Sequence, residues 1–309
     1  MTGKFSLRLK ALWLKDNWES LSEPLGLPEA LTQSPSKSTL QRVLKYVDAP
    51  ALQECVSETI RASLWLKLSP GLPFHYALDG KSRRGVRSPK TQRTEIDLNL
   101  FEVTTYSPVA KRVLPDKEGE SSGAQIMLQN LRKFPEKIPT GIVTFDGALT
   151  TPRVTKTLAE VQLGYLGGLK RFNGTVYEEI AAYPWGSVEV AARQGPENQH
   201  GRQELREIKT LKIQNLPPHM QAEFQKYPQA ALILQVFRRR KSLKTQKVSE
   251  ETAYFLGSRE LLLLSADQIL EIQRKHWTIE NSNHHVRDTT LQEDSCPTKK
   301  PQASQALGA

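Results

Sequence analysis

The chain has 309 residues, enough for one large domain or a main domain with appendages, and 38% hydrophobic residues supply a real core. Lys and Arg number 43 against 33 Asp and Glu, a net charge of +10 with a sequence pI near 9.5, which favours a polyanionic partner, nucleic acid first, over an acidic small molecule. Two distant cysteines, Cys55 and Cys296, exclude a disulfide framework and a zinc ribbon; no apolar leader or run of roughly 20 apolar residues is present, so the expectation is a soluble, cytoplasmic, nucleoid-associated protein without membrane contact.

Residues 1–70 read as a helical amino-terminal region with possible DNA contact. Leu40, Val43, Leu44 and Val47 recur at helical spacing, and Leu52, Val56 and Ile60 do so after Asp48-Ala-Pro50. Two helices around a short turn fit a DNA-reading helix pair or a packing unit equally in form. The next segment, 71–172, changes texture. Phe74–Asp79, Ile96–Tyr106 and Val109–Leu114 read as a three-strand meander. A helical stripe of Met127, Leu131 and Phe134 follows Ser121 and Ser122; Gly141–Phe145 is a short apolar strand; Thr151-Pro152 opens a helix striped by Val154, Leu158 and Val161; Leu163–Leu169 is a fifth strand. The order β-β-β-α-β-α-β predicts an α/β, ribonuclease H-like mixed sheet with helices on both faces.

Residues 173–262 read as a β-rich insertion, with strands at Leu232–Phe237 and Ala253–Leu256 and a basic turn made of Arg238-Arg-Arg-Lys241, Lys244 and Lys247. In 263–294, the capping box Ser265-Ala-Asp-Gln268 starts a helix expected to run through Glu280. Residues 295–309 are polar and Pro/Lys-rich, which predicts a disordered tail.

The chemistry concentrates on three acids. Asp79-Gly80 and Asp146-Gly147 each close an apolar strand. If the first and fourth strands are adjacent and parallel, about 4.8 Å apart, both carboxylates reach one edge of the sheet. An Asp-Gly step is also a preferred hairpin turn, which is the plain alternative. Glu280 shares a helical face with His276, His284 and Arg287, a face able to meet phosphate or simply a solvated charged surface; Trp277 is expected in the core. Two aspartates and a glutamate can hold a pair of Mg²⁺ ions about 3.5–4 Å apart. Lys81, Arg83 and Arg84 begin a basic strip beside this site, and Lys170 adds a further phosphate contact. His284, His285 and Cys296 match no zinc-ligand spacing.

These blocks together resemble a known family, the DDE transposases of bacterial insertion sequences, of the ISAs-one type that includes the H-repeat-associated proteins. The resemblance runs from Pro35 to Asp294. It is carried by Ala77-Leu-Asp-Gly-Lys-Ser-Arg-Arg-Gly85, Ile142-Val-Thr-Phe-Asp146, Gly164–Lys170, His200-Gly-Arg-Gln-Glu-Leu-Arg206 and His276-Trp-Thr-Ile-Glu-Asn281. It implies a ribonuclease H-like catalytic domain in which Asp79, Asp146 and Glu280 are catalytic residues and metal ligands. It further implies two Mg²⁺ ions, with Mn²⁺ as a substitute, and phosphodiester cleavage followed by strand transfer during DNA transposition. Arg202 and Arg206 join Lys81, Arg83, Arg84, Lys170, His276, His284 and Arg287 as DNA-binding residues. The implied partner is double-stranded DNA, as transposon ends and target, on a homodimer or larger assembly. The chain departs from the family at Asn283, His285, Arg287 and Thr289, which are polar where the family is apolar, and at Pro297–Ala309, which stands where the family has a basic terminal helix. A clipped copy would look like this. The rivals are a catalytically inactive DNA-binding remnant and a host nuclease on the same fold.

Overall fold

The computed structural model describes residues 7–22, 33–65, 73–87, 94–115, 118–132, 138–199, 201–285 and 287–288, with isolated positions at 24, 26 and 28. Phe134, His200, Cys296 and the expected tail at 295–309 lie outside the described residues.

Among the described residues, four helices come first: α1 (Leu7–Asp16), α2 (Trp18–Ser22), α3 (Lys37–Tyr46) and α4 (Ala49–Trp65). Ser36 starts α3 by accepting a hydrogen bond from the Thr39 amide at 3.2 Å, one of the orphan donors of a helix start. This helix buries none of its residues, and Val43 and Tyr46 stay exposed. α4 is tied to the sheet by Arg61, which is almost fully buried and donates to the Val109 carbonyl at 3.2 Å.

Among the described residues, nine strands form one mixed sheet in the order β3-β2-β1-β4-β5-β9-β8-β7-β6. They are β1 (Phe74–Arg87), β2 (Thr94–Glu102), β3 (Ser107–Val113), β4 (Gly141–Phe145), β5 (Gly164–Leu169), β6 (Ala192–Gln199), β7 (Arg202–Lys212), β8 (Ala230–Ser242) and β9 (Val248–Ser258). β1 pairs antiparallel with β2 and parallel with β4, and β4 pairs parallel with β5. The two parallel steps need crossovers, supplied by α5 (Glu120–Leu131) and α6 (Pro152–Glu160). Thr151 caps α6 by accepting from the Val154 amide at 3.3 Å, and Pro152 occupies the first turn, where a missing amide proton costs nothing.

Period-two alternation divides the central strands between two faces. Tyr76, Leu78, Val143 and Phe145 point to one face and pack with Met127 and Leu128 of α5, Val154 and Leu158 of α6, and residues of α7 (Thr175–Ala182) and α8 (Pro218–Phe224). Each such large apolar side chain contributes about 1.5–3 kcal/mol on burial. Ile142, Leu166, Leu232 and Leu234 point the other way, onto Ile269 and Leu270 of α9 (Ala266–Lys275). His75, Ala77 and Asp79 of β1, with Thr144 of β4, alternate onto that second face.

The segment 173–262 extends this same sheet, because β9 pairs antiparallel with β5. It contains two strands beyond the expected pair, β6 and β7, and two short helices, α7 and α8. Arg238-Arg-Arg-Lys241 is strand, not turn: the chain reverses after Ser242, whose amide donates to the Lys247 carbonyl at 2.9 Å. Cross-strand acids allow it, with Arg238 paired to Glu251, Arg239 to Glu250 at 3.5 Å and Arg240 to Glu204 at 3.4 Å. The Ser265/Gln268 capping box forms with both reciprocal bonds. Its helix does not run on to Glu280 as expected. α9 stops at Lys275, and a π-helical turn spans Ile279–His284. Such wide turns occur mostly as local bulges and often at functional sites.

Candidate active site

Leu78 and Phe145 are the last partners between β1 and β4, so Asp79 and Asp146 occupy the next position on each strand. Asp146 ends β4 itself: its Oδ1 accepts from the Ala148 amide at 2.9 Å and opens a turn. Thr150 Oγ1 donates to the Gly168 carbonyl at 2.6 Å, and the Asn173 amide group donates to the carbonyls of Gly147 and Thr150 at 3.2 and 3.1 Å, so the loop that carries Asp146 is pinned on three sides. Asp79-Gly80 is not a turn, because β1 continues past it, paired with β2, to Arg87. Gly80 faces the opposite side, where a Cβ would come 2.6 Å from Glu120 Oε1. A fourth carboxylate, on the first turn of α5, therefore reaches the strand beside Asp79.

Glu280 and His284 arrive on the π-helical turn. Ile279, fully buried with Ala77, Phe101 and Val103, fixes that turn against β1 and β2. One ligand atom each from Asp79, Glu280 and His284 lies within 4.8 Å of the others, and His284 Nδ1 is 3.6 Å from Asp79 Oδ2. Asp146 is outside this closest set and pairs with Lys170, Nζ to Oδ2 at 3.0 Å. Burial pushes the Asp79 carboxyl up to about 7; the negative charges of Glu280, Asp146 and Glu120 push the same way, against a hydrogen bond from the Gly80 amide. Burial and Asp146 likewise raise Glu120.

The residues expected to meet DNA separate into two groups. Lys81 is 4% exposed and pairs with Asp288 at 2.5 Å; Arg287 is buried, with Nη2 2.5 Å from Asp97 Oδ2 and Nη1 donating to Asn99 Oδ1 at 3.2 Å. Asp97 is inaccessible to solvent and also lies 3.3 Å from Lys111. These two cations therefore bind the segment after the π-helical turn onto β1 and β2 and do not face solvent. His284 is buried too, and burial lowers it to about 4, with Arg287 and Lys81 adding to the effect. His276 Nδ1 is 2.9 Å from Thr144 Oγ1 and burial lowers this ring also to about 4. Both rings are neutral at pH 7 and offer lone pairs, not positive charge, to the site. The side chains of Arg83 and Arg84 lie outside the described residues.

Lys170, Arg202 and Arg206 remain accessible in part. A cleft of about 560 Å³ is bounded by Asp79, Asp146, Lys170, Arg206, His276 and Glu280. A neighbouring cleft of about 670 Å³ is bounded by Arg202, Arg206, Arg238, Arg240, Arg274 and Lys275, with Glu204 among them. Trp277 borders both and is 56% exposed, so it is a rim residue and not part of the core.

No family model and no curated protein matches this chain. Among solved structures it is similar to a cryo-EM structure of a piggyBac transposase synaptic complex with hairpin DNA, at 11% identity and a TM-score of 0.41. The likeness covers 94% of this chain and 59% of that one, so the chain spans less than two thirds of its length. Among the described residues, no helix is long and apolar enough to cross a membrane.

Three residues of the site went unnoticed in the sequence. His75 and Thr144 were discoverable, because alternation on β1 and β4 puts 75, 77 and 79 on the face that also receives 144. Glu120 carries no local signal: it is a first-turn acid like many others.

Proposed function

We propose that the chain is a metal-dependent DNA-cleaving enzyme of the DDE class, a transposase built on a ribonuclease H-like core. The observation that carries this reading is the convergence of Glu280 and His284 on Asp79, across some 200 residues of sequence, at the place where the parallel pairing of β1 and β4 ends and Asp146 leaves β4. The donor set fits a divalent cation. Carboxylates crowd together at Asp79, Asp146, Glu280 and Glu120; Lys170 pairs with Asp146, and a proton is retained on Asp79 up to about pH 7. Hard cations such as Mg²⁺ favour oxygen donors, and a neutral imidazole suits Mn²⁺ as well. A bound pair of such ions lowers the pKa of an attacking water and stabilises a leaving 3′ oxygen.

The chain's own groups have separate tasks in this reading. Asp79, Asp146 and Glu280 hold the cations, and Lys170 orients Asp146. Arg206 and Arg238, shared by both clefts, neutralise phosphates on the strand leading to the carboxylates. Trp277, an exposed indole between two cation-lined grooves, offers a stacking face to an unpaired base. Joining of cut ends to a target goes with an assembly of two or more chains on paired DNA ends.

The test is cleavage of DNA carrying the element's terminal repeats, with Mg²⁺ or Mn²⁺, by wild type and by Asp79→Asn, Asp146→Asn and Glu280→Gln. Loss of nicking in all three with DNA affinity retained supports the assignment. Nicking that survives all three substitutions refutes it, and DNA binding without cleavage in wild type favours the inactive remnant.

A further inference from the structure

Beneath the carboxylates lies a row of polar groups that the proposed reaction does not use. Thr144, on β4 two residues before Asp146, is buried, and its hydroxyl meets three groups at once. It lies 3.2 Å from the Tyr76 carbonyl, 3.0 Å from His75 Nε2 and 2.9 Å from His276 Nδ1. A hydroxyl has one proton and two lone pairs. The Tyr76 carbonyl can only accept, so the hydroxyl proton goes there and both imidazole nitrogens must donate. Any other allocation sets two acceptors face to face at hydrogen-bond distance. His75 then carries its proton on Nε2 and leaves Nδ1 bare, which agrees with Nδ1 being buried without a hydrogen-bond partner among the described residues. A bare lone pair is the cheaper group to leave unmet, since a buried N–H would forfeit a full hydrogen bond. His276 by the same allocation is protonated on Nδ1. Its Nε2 has no hydrogen-bond partner among the described residues, and the ring borders the cleft that holds Asp146.

We propose that Thr144 is a positioning residue that locks His276 in the Nδ1–H tautomer and presents its Nε2 lone pair, beside Asp146, as an acceptor for a water or hydroxyl group entering the cleft. The inference rests on the cleavage reading above for its purpose, though not for its geometry. It assigns His276 the opposite role from a phosphate-binding cation: the ring approaches the site as an acceptor and repels nothing that carries a proton. His75 completes the device by occupying the second lone pair of Thr144, which leaves the hydroxyl no alternative orientation. The burial that lowers His75 to about 3 and His276 to about 4 keeps both rings in the neutral form the allocation requires.

Two-bond ¹H–¹⁵N correlation on the full chain with ¹⁵N-labelled histidine, at pH 7.5, reads the tautomer directly. Wild type should show His276 protonated at Nδ1 and unprotonated at Nε2, and Thr144→Ser should keep that pattern. Thr144→Val, close in shape but without the acceptor, should move His276 toward the Nε2–H form and cut nicking about tenfold, the scale of one neutral hydrogen bond, with DNA affinity unchanged. His276→Asn retains a donor near the Nδ1 position but lacks the lone pair, and should fold and bind DNA while nicking poorly, which covers the case of an unstable valine variant. An Nε2–H signature for His276 in wild type, or an unaltered tautomer in Thr144→Val, overturns the proposal. Absence of nicking by wild type with the tautomer pattern intact overturns the cleavage reading and leaves the tautomer assignment standing.

Discussion

Replacing Asp79 by Asn should stabilise the metal-free protein while abolishing its chemistry. In the unfolded chain Asp79 loses its proton near its ordinary value of 3.8, whereas in the folded chain it keeps the proton up to about 7. The folded state therefore binds more protons through this window, so wild-type stability falls as pH rises from about 4 to about 7. Three units at about 1.4 kcal/mol each set a ceiling of about 4 kcal/mol. The side chain is 22% exposed, so water relieves part of the cost, and about 2 kcal/mol is the expected difference at pH 8. Asn keeps the shape and hydrogen bonds of the protonated acid and has no charge to repel. At roughly 2–4 °C per kcal/mol, Asp79→Asn should melt about 4–8 °C above wild type at pH 8 in chelator, and only about 1.5–3 °C above it at pH 5, where about two fifths of the linkage has developed. Adding Mg²⁺ or Mn²⁺ should close the gap, because only wild type gains binding energy, about 2.7 kcal/mol at a hundredfold excess over Kd. Equal melting temperatures at pH 8, or a gap that is the same at pH 5, would show that Asp79 does not sit among unneutralised carboxylates.

The buried histidines act in the reverse direction. His75, His276 and His284 are lowered to about 3, 4 and 4, so the stability gained by keeping them neutral is present above pH 6.5 and is lost as pH falls toward 4. Each loses up to about 1.4 kcal/mol per pH unit, and three outweigh the single opposing contribution of Asp79, so melting temperature should drop steeply below pH 6 in a scan from 7 to 4.5; a flat profile contradicts their burial. Arg287→Met should cost about 3 kcal/mol in chemical denaturation, the low end for a broken buried pair because Lys111 still faces Asp97, and Asp97→Asn in the same chain should recover part of it; a loss under about 1 kcal/mol rules out the clamp. Lys170→Ala and Arg206→Ala should each weaken DNA binding for all sequences and reduce the slope of log Kd against log salt by about one, whereas an unchanged slope removes that residue from the phosphate path.

The central strands were legible because their composition repeats the geometry: His75–Leu78 and Gly141–Phe145 are mostly apolar and buried on both faces, although Asp79-Gly80 does not end β1 as a turn. Of the crossover helices, α6 was legible from its Thr151 cap and Pro152, whereas α5 was legible from its apolar stripe alone, since it starts at Glu120 without a side-chain cap and holds Ser121 and Ser122 inside its first turn. β6 and β7 were not, since Ala192–Gln199 and Arg202–Lys212 are rich in charge and are held partly by cross-strand ion pairs such as Arg193 with Glu207 at 2.6 Å. Pairing of that kind depends on a partner strand distant in sequence. The same limit hid the nature of Arg238–Lys241. The neighbouring positions of Asp79 and Asp146 followed from strand order, but the approach of Glu280 and the burial of Lys81, Arg287 and His284 did not, because burial of a charged group is set by what packs over it, and here that cover is a π-helical turn no periodicity announced.

The flanks of the nine-strand sheet carry a consequence for solubility. A bare outer strand invites a second molecule to add itself by main-chain bonding. At one flank β3 is shielded by α4, with Arg61 already engaging the Val109 carbonyl. At the other, β6 is interrupted between Gln194 and Glu197, where Gly195 adopts φ +91° and Pro196 has no amide proton to give. Copies of this chain should therefore not zip together side by side into ribbons, and self-association, where it occurs, has to use side chains on the faces and helices.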